Sequence, residues 1–119
     1  MDSGQAEGVD ILLKSTLDTL GVPVERLKFS GAADTYIIFH LINADESEHA
    51  DDEPLTHEHQ YRIDFYAKGN YTALVRQARK ALRAAGFYDN SVNAEFFESS
   101  TGYNRISLNS FYLEVLPCE

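Results

Sequence analysis

The sequence predicts an α+β fold: one mixed, mainly antiparallel sheet with two helices packed against it, in the order α-β-β-β-α-β-β. Three observations lead there. From Gln60 to Lys68 polar and apolar residues alternate, the period of a half-buried strand. From Tyr71 to Ala85 the period changes to that of a helix. On either side, further strand-like runs are separated by short turn sequences, with no internal repeat and no linker, so residues 1–119 read as one domain.

Taken in order, residues 1–8 are small and polar and read as a loose tail. Val9, Leu12, Leu13, Thr16, Leu17 and Leu20 then form a helical stripe, which Gly21 ends and Pro23 prevents from continuing. Val22 to Phe29 is apolar enough for a short strand, and Ser30 to Asp34 is a turn. Thr35 to Asn43 (TYIIFHLIN) is apolar on both faces, which predicts a central strand covered on both sides. An acidic hairpin loop over residues 44–54 follows. Six of the nine residues in DESEHADDE are acidic, Pro54 closes the run, and self-repulsion predicts a solvated, mobile tip.

In the next strand Tyr61, Ile63, Phe65 and Ala67 take one face, and Arg62, Asp64, Tyr66 and Lys68 the other. Gly69 breaks it. Asn70 suits an N-cap, because its side-chain oxygen can accept an orphan backbone N–H. The second helix carries Tyr71, Leu74, Val75, Ala78, Leu82 and Ala85 on one stripe. Gly86 falls where a left-handed residue closes a helix, with Phe87 placed to pack back on Leu82. Residues 92–98 form another strand, 99–102 a turn, and 103–116 the last strand. Ile106 and Leu108 share one parity there, and Phe111, Leu113 and Val115 the other. A β-bulge near Asn109 or Ser110, or a change of partner, would reconcile them.

Composition bounds the function. With 44% apolar and 24% charged residues the chain is of the ordinary soluble globular kind. The lone Cys118 permits no internal disulfide, which fits a reducing compartment. No apolar run approaches the roughly 20 residues of a membrane span, and the first residues lack the basic–apolar pattern of a signal. A net charge of −9 argues against a free-standing nucleic-acid binder. The charge is unevenly placed: residues 70–85 carry +4 with no acid, so the rest of the chain carries −13.

That separation singles out Arg76, Arg79, Lys80 and Arg83. They are either the exposed face of an amphipathic helix or an interface for an acidic surface of a neighbouring copy. Asp45, Glu46, Glu48, Asp51, Asp52 and Glu53 form the complementary candidate. Clustered oxygens suit calcium, but this run lacks the spacing and glycine of a calcium loop, so a solvated or protein-contacting loop is the expectation. His49, His57 and His59 border it. His57 and His59 would share a strand face about 6.5–7 Å apart. Zinc would need a third ligand, so a solvated hairpin base is the expectation and no metal is assigned. His40, in an apolar strand, reads as a satisfied core histidine. There is no nucleophile motif, glycine-rich phosphate loop or paired-cysteine site. No catalytic residue, enzyme activity or cofactor is expected.

The helix ending LGVPV, the strand TYIIFHLIN, the polar interruption, the unit HQYRIDFYAKGNYTALVRQARKALRAAGF and the closing RISLNSFYLEV together resemble the small tail-terminator, or tail-completion, proteins of long-tailed bacteriophages. The resemblance covers most of residues 9–116. It implies a structural virion protein without cofactor or catalysis, assembled in the host cytoplasm and residing in the tail neck. Such proteins form a ring, usually hexameric, on the head-proximal end of the tail tube. They end tube polymerisation and join the tail to the head-side connector. The implied partners are therefore further copies of the chain, the major tail tube protein and a connector protein, with DNA passing through unbound and no membrane involved. An acidic lumen formed by residues 45–53 would repel that DNA. Alternatives are another small phage neck or connector protein, a monomeric acidic protein-binding module, and a small metal-dependent enzyme built on His57 and His59.

Overall fold

The computed structural model describes residues 4–47 and 56–115. Helix α1 (Gly4–Asp18) leads to a short strand, β1 (Val24–Arg26). Strands β2 (Thr35–Ser47) and β3 (Thr56–Ala67) follow, then helix α2 (Thr72–Ala84) and strands β4 (Tyr88–Glu98) and β5 (Tyr103–Val115). The sheet order is β1-β2-β3-β5-β4, which makes β3 the central strand. All neighbours are antiparallel except β1 and β2, so the sheet is mixed and the class is α+β, with the helices and strands in the expected sequence.

Both helices contribute to one core on one face of the sheet. α1 supplies Val9, Leu13 and Leu17; α2 supplies Val75, Ala78 and Leu82. They meet Ile37 and Phe39 of β2, Tyr61, Ile63 and Phe65 of β3, and Ile106 and Leu108 of β5. The alternation in β3 is thereby explained: residues 61, 63, 65 and 67 are all buried beneath the helices. Asn70 accepts from the Thr72 amide at 2.8 Å, although the cap residue is Tyr71. At the other end Gly86 takes φ +103°, the Phe87 amide donates to the Leu82 carbonyl at 2.9 Å and the Gly86 amide to Arg83 at 3.1 Å. These two bonds satisfy carbonyls that the helix leaves open, in the Schellman arrangement.

Several expectations are corrected. Helix α1 already includes residues 4–8, where a loose tail was expected; Gln5, Ala6 and Glu7 are strong helix formers and extend it by a turn. β2 is an interior strand, paired with β1 and β3, but among the described residues no helix or second sheet covers its other face. Its Tyr36 and Ile38 are only half-buried, and Ile42 is an exposed bulge residue between Leu41 and Asn43. His40 lies on that open face in register with Arg62, so it is not a core histidine. The last strand has no bulge against β3, where pairing runs unbroken from Thr56↔Val115 to Ala67↔Asn104. The additional residues are in the partner strand β4: Asn90, opposite Asn109 and Ser110, and Asn93, between Val92 and Ala94. Asp89 and Asn90 both have positive φ, 74° and 53°, as asparagine and aspartate tolerate best. Asn90 is buried, accepts from Ser110 Oγ at 2.6 Å and donates to the Phe87 carbonyl at 3.2 Å. The bulge therefore places its amide where both ends are satisfied.

Candidate functional site

Helix α2 is strongly two-sided. Its buried residues Val75, Ala78 and Leu82 face the sheet, which leaves Arg76, Arg79, Lys80 and Arg83 along the outside. Spacings of three and four put these cations on one stripe. Between this stripe and β4 runs a groove of about 670 Å³, lined by Tyr71, Thr72, Val75, Arg76, Arg79, Lys80, Arg83, Glu95 and Ile106. Val75 and Ile106, both buried, supply its apolar component.

Charge within the groove is one-sided. Among the described residues no carboxylate lies within ion-pair distance of Arg76, Arg79, Lys80 or Arg83. Arg79 is half-buried, and its Nε is buried without a hydrogen-bond partner among the described residues. A guanidinium in that state retains an unmet donor, which an incoming carboxylate can satisfy. Glu95 is the one acid in the lining, and it accepts from the Tyr71 hydroxyl. Burial, and then this bond to Glu95, push the Tyr71 hydroxyl up to about 12. The groove thus combines an apolar component with four cations and one engaged carboxylate. Such a lining suits an acidic protein surface better than a neutral small molecule.

The second feature is the sheet face away from the helices. An antiparallel sheet open to water on one side should be polar there. Here Tyr36 stacks between Phe29 and Tyr66, at centroid separations of 4.4 and 4.7 Å. Arg105 lies 3.8 Å over the Phe96 ring. Tyr88 stacks on Phe111 at 5.6 Å and donates to Glu58. Phe96, Leu113 and Val115 remain 41%, 48% and 65% exposed. Among the described residues only Asp64, which accepts from Ser107 Oγ, makes a buried polar pair on this face. Leu113 and Val115 are neighbours on this face near the start of β3, whereas Phe96 lies at the far end of the sheet, opposite Arg105.

The acidic candidates divide. Asp45 and Glu46 extend β2, in register with Glu58 and His57 of β3; Glu48, Asp51, Asp52 and Glu53 lie outside the described residues, as do His49 and Cys118. The solvated base expected for His57 and His59 is wrong for His59, which is 1% exposed and sits 3.0 Å from Glu114 Oε1 through Nε2. The part played by Glu114 was not legible in the sequence, because only the β3–β5 register, His57↔Glu114 and His59↔Tyr112, brings position 114 to the histidines.

The sequence matches no family model and no curated protein. A solved structure does share the fold: a chain from the virion of a native gene transfer agent (GTA) particle, with a TM-score of 0.50 over 88% of this chain and 92% of that one. The two sequences are 17% identical, and at that level the likeness is one of fold.

Proposed function

We propose that this chain is a structural virion protein that caps the head-proximal end of a phage tail tube as a ring, ends tube polymerisation and joins the tail to the head connector. The observation that carries the reading is the fold shared, across nearly the whole of both chains, with a component of a virion. The surface supports it. A heterologous contact between two different patches on one subunit closes into a ring when its rotation divides the circle. The α2 groove offers a basic patch, and a chain with a net charge of −9 offers acidic ones.

The two surfaces would divide the work. Exposed ion pairs contribute about 0–1 kcal/mol each, so Arg76, Arg79, Lys80 and Arg83 would set register and assembly rate. The open aromatic and aliphatic sheet face would supply most of the affinity, at roughly 25 cal/mol for each Å² of apolar surface removed from water. No bond-making step is required of any residue. The acidic run from Asp45 to Glu53 would line the lumen, where it keeps DNA from adhering, or dock against a further neck protein.

The test is deletion of the gene followed by electron microscopy of the particles. Tails of uncontrolled length, detached from heads, are expected. Normal-length tails joined to heads would refute the reading.

A further inference from the structure

His57 and His59 of β3 and Glu114 of β5 form a cluster independent of the α2 groove. One ring nitrogen from each histidine and one carboxylate oxygen lie within 4.8 Å of one another. The cluster is built from the sheet register: His57 and His59 are two apart on one strand, and Glu114 is the cross-strand partner of His57. Its floor is fixed, because His59 is 1% exposed and its ring stacks at 6.4 Å on the buried Tyr61.

One distance points to a cation. His59 Nε2 lies 3.0 Å from Glu114 Oε1, close to the roughly 3.3 Å that separates two ligands on a tetrahedral zinc with bonds of about 2.0–2.1 Å. The other ring nitrogen of His59, Nδ1, is buried and has no hydrogen-bond partner among the described residues, so Nε2 is the nitrogen that meets the carboxylate. His57 is only partly buried and is the ligand best able to adjust the remaining distance.

We propose that His57, His59 and Glu114 bind a divalent transition-metal ion, zinc being the natural occupant. The two imidazoles are borderline ligands, which favour zinc, cobalt or nickel over magnesium and calcium; the carboxylate is a hard ligand that zinc also accepts. Three protein ligands leave one tetrahedral position for water. The ion would clamp β3 to β5.

The test is titration of the metal-free full chain with zinc chloride by calorimetry, with magnesium chloride as control, and with cobalt(II) chloride followed by visible absorption. The proposal expects one zinc per chain, no magnesium heat, and the intense visible bands of tetrahedral cobalt. His57→Gln and Glu114→Gln should each weaken zinc binding by about 10-fold or more. Both positions are at least partly accessible, and circular dichroism of each variant checks that it folds. A folded wild-type chain that takes up no zinc overturns the proposal. So does equal binding by both folded variants, which would place the ion elsewhere.

Discussion

The Tyr61 hydroxyl donates to the Asp10 carboxylate, which also receives Arg26 Nε at 3.0 Å. The middle of the central strand, the first helix and β1 therefore converge on one carboxylate. Replacing Tyr61 with Phe removes that bond while keeping the ring. Bonds to charged groups contribute about 1.5–3 kcal/mol, and Asp10 keeps Arg26 and some water, so a loss near 1.5 kcal/mol is expected. Urea denaturation should show a lower midpoint with an unchanged slope.

The same bond makes stability sensitive to alkali. Burial, followed by the hydrogen bond to Asp10, raises the Tyr61 hydroxyl well above its ordinary value of 10. The Tyr88 hydroxyl is pushed up to about 12, chiefly by its bond to Glu58. The Tyr71 hydroxyl also rises to about 12. In each case the folded state holds the proton more tightly than the unfolded state. The stabilisation is complete below pH 10 and is lost as pH rises from there through the folded-state values. Unfolding measured from pH 9 to pH 12 should show stability falling above about pH 10, less steeply in Tyr61→Phe.

Gly86 is the position where a methyl group should do most harm for its size. Its φ of +103° is unfavourable for any other residue, and an added Cβ would stand 3.2 Å from Tyr112 Cε1. Gly86→Ala should cost about 1–3 kcal/mol, read as a lowered melting temperature. Gly69→Ala, where a Cβ meets nothing within 4 Å, is the control and should change little.

On the open sheet face, Leu113 and Val115 contribute exposed apolar surface without belonging to the buried core. Converting both to Ser should shift chain stability by no more than about 0.5 kcal/mol. Concentration-dependent association should nevertheless weaken, as measured by sedimentation equilibrium.

The elements that announce themselves by period were legible in the sequence. The alternation from Tyr61 to Ala67, the stripe from Tyr71 to Ala85 and the closure at Gly86 and Phe87 each rest on local physics, and each appears as the residues dictate. What was not legible depends on registers set by distant contacts. Phe111, Leu113 and Val115 looked like a buried set displaced by a bulge. They instead stay on the open face, while Ser110 and Tyr112 continue the helix-covered one. Asn90 took the bulge because its amide reaches both Ser110 and the Phe87 carbonyl. The cationic stripe of α2 was visible from charge alone, but the groove beside it, and Glu95 within it, required β4 to be in place.

The claim that this chain works by fitting against copies of itself is tested most directly by light scattering coupled to size-exclusion chromatography. The wild-type chain should elute as a closed ring of hexameric mass. The double variant Arg79→Glu, Arg83→Glu should elute as a folded monomer at the same concentration. A wild-type chain that stays monomeric at every concentration, or a double variant that still forms the ring, would contradict it.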